Sequence, residues 1–318
     1  MSASSVPAVE VRGLRKSYGR QLVLDAVDLE VAEGTVFALL GPNGAGKTTT
    51  IHILSTLVTP DAGDVRVAGF DVAREANAVR GVIGLTGQVS AVDGQFTGEE
   101  NLRLMADLHH LGRAEGRRRV TQLLDRFELA DAAGRPAMTY SGGMRRRLDL
   151  AMTLVGAPRI IFLDEPTAGL DPRSRRVMWD IVRELVGDGV TIFLTTQYLE
   201  EADRLASRIA LLDGGRVIAQ GTPAELKKLV PGGSIRLEFG DPADLDRAAR
   251  LLPSGSRDDG ALALQLPSDG GVHSLRALLE RLDAGSIEVE TLSVRAPDLD
   301  DVFLSLTGHA SNREVPLS

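Results

Sequence analysis

The sequence predicts an α/β fold: a mixed sheet carrying a helical arm, followed by a second, smaller α/β domain. Three observations carry this reading. Residues 34–54, GTVFALLGPNGAGKTTTIHIL, read as a short apolar strand, a glycine-rich turn and a helix. Residues 160–165, IIFLDE, are four apolar residues running into two adjacent carboxylates, as in a buried strand whose end faces a polar site. After Pro231-Gly-Gly the composition resets, and short strands and helices alternate to the end. A length of 318 residues accommodates two cores, and the expected division is 1–230 and 231–318.

Taken in order, residues 8–40 alternate in strand fashion around Gly13, Gly19 and Gly34, and further strands are expected at 65–68 and 82–86. From Thr97 the pattern turns helical: Thr97 and Glu100 have capping-box spacing ahead of NLRLMADLHHLG, and RRRVTQLLDRFEL follows, giving an arm over about 95–155. Asp171-Pro172 pairs an N-cap with proline at the first helical position, and Trp179 in that helix reads as core. RIALLDGGRVIAQG is a hairpin turning at Gly214-Gly215, and TPAELKKL is a capped closing helix. Beyond residue 231, SIRLEFG, ALALQLP and SIEVETLSV read as strands. PADLDRAARLL, GVHSLRALLERLD and LDDVFLSL read as helices, with no catalytic constellation among them.

Composition excludes several chemistries. The chain has no cysteine, which removes disulfides, thiolate catalysis and Cys-type metal sites, and its five histidines (52, 109, 110, 273, 309) lack metal-ligand spacing. A net charge of −8 argues against nucleic acid as the main partner. The arginine runs 117–119 and 145–147 are expected to be solvated helix faces. No apolar run approaches the roughly 20 residues that span a bilayer, and the start lacks a signal-peptide core, so any membrane role is expected through a partner.

Residues 41–48, GPNGAGKT, match G-x-x-x-x-G-K-[ST] between a strand and a helix, the context that pattern requires. Glycines let successive backbone N–H groups face one point, and the helix start adds its positive dipole end. Lys47 is placed to reach β and γ phosphates, and the Thr48 hydroxyl to ligate Mg²⁺. At the end of the 160–165 strand, Asp164 is the expected metal carboxylate and Glu165 the base that polarises the attacking water. Upstream, YSGGMRRRLDLAM begins with Ser141 as N-cap and with Gly142 and Gly143, a second helix start suited to an anion.

Together these motifs resemble the nucleotide-binding subunit of an ABC transporter, in the family's order over residues 8–220. The resemblance implies a phosphate-loop NTPase core of the ABC type. It makes Gly41, Pro42, Asn43, Gly44, Ala45, Gly46, Lys47, Thr48 and Thr49 the ATP-binding loop, 160–165 the Walker B strand with its catalytic glutamate, and Ser141, Gly142 and Gly143 the signature. It further implies that Asp171 belongs to the D-loop, that Gln88 is a Q-loop ligand of ATP and Mg²⁺, and that Tyr18 stacks on adenine. Tyr140 and Tyr198 are expected to pack nearby. In the family the signature of one subunit covers ATP held by a second copy, and an integral membrane permease is the partner.

Two departures narrow the resemblance. Gln197 stands where the family usually has a switch histidine, and Met144 where the signature usually has glutamine. Both, with TTQYLEEAD and the closing PDLDDVFLSLTG, are similar to the daunorubicin/doxorubicin-resistance branch of drug-exporting ABC ATPases. Gln197 would sense the γ-phosphate by hydrogen bonding without supplying charge. The implied function is ATP hydrolysis that powers export of a hydrophobic drug or antibiotic, with the chain held at the cytoplasmic face of the membrane by its permease. The alternative is a soluble ABC ATPase acting on ribosomes or nucleic acid; the acidic charge and the lack of a second cassette count against it. A phosphate-loop kinase is disfavoured by the signature and D-loop.

Overall fold

In the computed structural model, which describes residues 6–230, 233–268, 271–295 and 297–307, the chain divides into two compact units, Met1–Pro223 and Ala224–Ser318. The division falls ahead of the Pro231-Gly-Gly break in composition. Pro231, Gly232, Gly308 and His309 lie outside the described residues, as do residues 1–5.

In the first unit, β1 (Val9–Tyr18) and β2 (Gln21–Val31) form an antiparallel hairpin before β3 (Val36–Leu40), which runs directly into the glycine-rich loop and α1 (Lys47–Leu54). β4 (Ala62–Val67) and β5 (Phe70–Asp71) complete an antiparallel sheet of order β2-β1-β4-β5. After α2 (Ala76–Val82), β6 (Ile83–Thr86) leads to α3 (Gly98–Leu108), α4 (Arg113–Arg126) and α5 (Gly142–Thr153). Then come β7 (Ile160–Asp164), α6 (Pro172–Gly187), β8 (Thr191–Thr196), α7 (Leu199–Leu205), β9 (Arg208–Asp213) and β10 (Arg216–Gly221). The second sheet has the order β10-β9-β3-β8-β7-β6, and every pair in it is parallel except β10 with β9.

Every residue of β3, β7 and β8 is buried, which is why these strands are apolar without alternation: both faces of a parallel sheet are covered. Phe193 stacks on Phe37 with ring centroids 5.3 Å apart and meets Phe162 edge-on at 5.8 Å. The same core takes in Leu14 and Leu24 of the antiparallel sheet and Ile51, Ile53 and Leu54 of α1. The arm begins as its sequence requires: Glu100 N donates to Thr97 Oγ1 at 3.2 Å, and Thr97 N donates to Glu100 Oε2 at 2.8 Å. Asp171 caps α6 through Arg173 N and Ser174 N, both at 3.0 Å, and Trp179 is buried. Val82, expected to open a strand, instead closes α2.

The second unit starts within α8 (Pro223–Lys227) and contains an antiparallel sheet of order β12-β13-β11-β14. Its strands are β11 (Gly233–Glu238), β12 (Ser256–Asp258), β13 (Ala263–Ser268) and β14 (Thr291–Arg295). Its helices are α9 (Pro242–Leu251), α10 (Val272–Ala284) and α11 (Leu299–Thr307). β11 alternates buried with half-buried residues, and its inward Ile235 and Leu237 pack with Leu245 of α9 and Leu278 and Leu282 of α10. β12 was not expected from the sequence, because Ser256, Arg257 and Asp258 are exposed and carry no apolar period. No helix among the described residues is long and apolar enough to cross a membrane.

Candidate functional site

Parallel strands deliver their carboxyl ends to one edge of a sheet. Here β8 lies between β3 and β7, with Thr196 in register with Leu40 and Thr195 with Asp164. Gly41, Gln197 and Glu165 therefore leave the sheet close together. The polar tip of β8 joins the three ends. Thr195 Oγ1 donates to Asp164 Oδ1, Glu165 N donates to Thr195 O at 3.1 Å, and Gly41 N donates to Thr196 O at 3.4 Å. Thr196 Oγ1 accepts from Tyr198 N at 2.9 Å and so starts the turn into α7.

The loop after β3 is shaped as an anion cradle. Gly46 sits at φ +109°, where a Cβ would also fall 2.6 Å from Leu24 Cδ2, so only glycine fits that turn. The backbone N–H groups of Asn43, Gly44, Gly46, Lys47, Thr48 and Thr49 donate to no protein acceptor among the described residues. Pro42 O instead accepts from Ala45 N at 3.3 Å, which keeps the turn tight. Lys47 is buried, and its Nζ donates to Gly41 O at 2.8 Å and Pro42 O at 3.2 Å, 3.4 Å from Glu165 Oε1. Burial holds the Lys47 ammonium below its ordinary pKa, while Glu165 and Asp164 pull it back up. A buried cation beside free N–H groups is an arrangement that suits polyphosphate. For a divalent metal the fit is likewise chemical: Asp164 is 2% exposed and supplies a hard oxygen, with Thr48 at the first turn of α1.

Glu165 adopts φ +48°, a left-handed conformation that costs a non-glycine residue on the order of 1–3 kcal/mol. The chain turns there, and three successive carbonyls, of Asp164, Glu165 and Pro166, accept from the single guanidinium of Arg146 at 3.0, 3.3 and 2.9 Å. Arg146 also donates to Gly87 O at 2.7 Å. This corrects the expectation of a solvated face at 145–147. Successive helix residues point about 100° apart, so a run of three arginines cannot all face solvent: the Arg146 and Arg147 side chains are only 11% and 17% exposed. Burial lowers the Arg146 pKa and raises that of its neighbour Asp149.

The remaining expected residues fall as follows. Gln197 is half-buried and makes no side-chain hydrogen bond among the described residues; Gln88 is exposed on the loop after β6, at the same sheet edge. Ser141 caps α5, accepting from Met144 N at 3.2 Å, and both it and Gly142 are exposed. A Cβ on Gly143 would lie 2.4 Å from Ser174 Oγ, so this glycine lets α5 approach the start of α6. Ser174 Oγ donates to Asp171 Oδ2 at 2.6 Å, which holds the exposed Asp171 carboxyl below its ordinary pKa. No hydrogen bond among the described residues joins the 141–143 segment to the 41–49 loop. Tyr18 is 48% exposed at the end of β1, with Lys16 Nζ 5.5 Å from its ring centre. Tyr140 is buried and donates to Ala132 O at 2.7 Å, and Arg175 lies over the Tyr198 ring at 5.0 Å. Sequence reasoning missed Arg146, Asp149 and the fully buried Glu201, which accepts from Thr167 Oγ1 at 2.9 Å and Trp179 Nε1 at 3.1 Å. Burial raises the Glu201 pKa.

The family model described as "ABC transporter" matches residues 24–168. The daunorubicin resistance ATP-binding protein DrrA3 of Streptomyces coeruleorubidus is 50% identical over 303 residues, covering 95% of this chain and 96% of that one. Among solved structures, an ATP-binding subunit of an ABC transporter superimposes with a TM-score of 0.63 at 31% identity, over 70% of this chain and 92% of that one. A dimeric, post-hydrolysis ATP-binding cassette bound to ADP and Pi gives a TM-score of 0.62 at 27% identity, over 67% of this chain and 98% of that one.

Proposed function

This chain belongs to the family of ABC transporter ATP-binding subunits, and from that premise we propose that it hydrolyses Mg-ATP at the ends of β3, β8 and β7 to drive a separate integral membrane permease. The observation that carries the reading is the convergence of the 41–49 loop, Asp164, Glu165 and Gln197 at one sheet edge, with Lys47 Nζ 3.4 Å from Glu165 Oε1.

The roles follow from the groups. Backbone N–H groups of residues 43–49 cradle the phosphates, and Lys47 exchanges its carbonyl partners for the terminal phosphate oxygens. Mg²⁺, held by Thr48, Gln88 and Asp164, would offset charge on those oxygens. Glu165 accepts the proton of the attacking water. Gln197 orients that water or the γ-phosphate through an amide that donates and accepts but never becomes a cation. Tyr18 offers an exposed ring face for adenine. The start of α5, exposed at Ser141 and Gly142 and followed by the buried Gly143, with Asp171 beside it, covers ATP bound by a second copy; the dimeric relative supports this arrangement.

The cargo reading is export of a hydrophobic drug or antibiotic, supported by the daunorubicin resistance for which the 50% identical relative is named. The permease would hold the chain at the cytoplasmic face of the membrane. The test pairs two measurements: ATP hydrolysis by the purified chain with and without Mg²⁺, and daunorubicin accumulation in cells that co-express its permease. Hydrolysis should need Mg²⁺, and Lys47→Ala should restore full drug accumulation. Absence of Mg²⁺-dependent hydrolysis would overturn the ATPase reading. Equal accumulation with wild type and Lys47→Ala would overturn the export reading.

A further inference from the structure

β6 and β7 are parallel neighbours, with Thr86 beside Leu163, so the loops that follow them leave the sheet side by side. A single helix ties both down. From α5, Arg146 Nη1 reaches Gly87 O on the first loop at 2.7 Å, while Nε and Nη2 take the carbonyls of residues 164–166 on the second. One turn further along α5, the buried Asp149 sits 3.3 Å from Arg146 and accepts from Ala91 N at 3.1 Å. We propose that Arg146, oriented by Asp149, is a positioning residue for hydrolysis: it holds the backbone that aims Glu165 and couples that backbone to the 87–91 loop.

The geometry of the carbonyls is the strongest argument. In an extended strand successive carbonyls point to alternate sides, so three in a row cannot face one donor. They do so here because Glu165 turns through φ +48°, and Arg146 fills the concave side of that turn. The guanidinium is suited to this by its planar fork of five donors, which spans two loops at once; an ammonium is a point donor and cannot. Asp149 fixes the plane of the fork and adds its own bond to the 87–91 loop, so a displacement of that loop pulls on the group that sets Glu165.

This inference rests on reading Glu165 as the base, and the experiment separates the two. Single-turnover hydrolysis and affinity for a fluorescent ATP analogue would be measured on the full chain for Arg146→Lys, Asp149→Asn, Glu165→Gln and the two pairings with Glu165→Gln. Arg146→Lys should slow hydrolysis roughly 10- to 100-fold with affinity within about threefold, and Asp149→Asn should slow it about 3- to 10-fold. In the Glu165→Gln background neither should add more than about twofold, because residues acting through one group are not additive. A further loss of full size in that background, a wild-type rate in Arg146→Lys, or parallel losses of rate and affinity would overturn the proposal. Should Arg146→Lys fail to fold, Asp149→Asn in the same two backgrounds decides. A wild-type rate in Glu165→Gln alone would overturn the base reading and this inference with it.

Discussion

Within Met1–Pro223 the buried polar residues include Lys47, Asp149, Asp164, Thr195, Thr196 and Glu201, whereas Ala224–Ser318 buries only Asp244 and Ser268 among its described residues. The contrast follows from strand direction. A parallel sheet sends β3, β8 and β7 the same way, so their ends accumulate polar groups at one edge. There, side chains far apart in sequence satisfy one another: Thr195 with Asp164, Lys47 with Glu165, Arg146 with the carbonyls of residues 164–166. The antiparallel sheet of the second unit reverses direction at each strand, and Asp244 is paired only locally, with Arg247 on the next turn of α9. One unit has the architecture of a reaction site. The other has an apolar core under a sheet and no comparable convergence among its described residues.

Breaking the convergence should do the most harm at its centre. Lys47→Ala removes the buried cation of the cradle and leaves Glu165 without this partner; ATP affinity should fall on the order of a thousandfold, as when one member of a hydrogen-bonded charge pair is truncated in a binding site. Isothermal titration with Mg-ATP checks this, and near wild-type affinity would mean that the loop does not hold the phosphates. Glu165→Gln should keep affinity while slowing hydrolysis by about a hundredfold or more. An ATP-stabilised dimer should then accumulate on size-exclusion chromatography, and a monomer throughout would count against a composite site with Ser141, Gly142 and Gly143. Gln197→Ala, one step outward, should slow turnover roughly 10- to 100-fold with little change in affinity. Wild-type turnover in that variant, with the permease present, would reduce Gln197 to a strand cap.

How far the sequence reached differs between the two units in the same way. The glycine loop, the Asp164–Glu165 pair and the caps at Thr97, Ser141 and Asp171 are local patterns, and local patterns are legible from one stretch of chain. Arg146 was not legible. Nothing in GGMRRRLDL separates it from Arg145 and Arg147 until the face of α5 that meets the β7 end is known. Thr195 stands at the head of TTQYLEEAD with nothing local to name its partner, because Asp164 comes from a different strand. Glu201 is one of two adjacent acids in YLEEAD, and nothing local singles it out, yet it is fully buried behind Trp179 and Thr167. In the second unit the alternation of β11 gave its inward face, while the exposed β12 had no pattern to find.

The smallest expected effect is the sharpest test of the comparison. Removing residues 232–318 deletes β11 to β14 and helices α9 to α11 of the second unit, but none of the groups that meet at the β3, β8 and β7 ends. Because the first unit carries its own core, from Leu14 and Leu24 through Phe37, Phe162 and Phe193, the truncated chain should fold cooperatively. It should bind Mg-ATP within about twofold of the full chain, since every residue placed at the nucleotide site lies in the first unit. Isothermal titration on both forms, with thermal unfolding monitored by circular dichroism, measures the two quantities. A soluble, folded truncation that has lost ATP affinity would mean that the second unit contributes to the site, and that the division between a reacting unit and a non-reacting one is drawn in the wrong place.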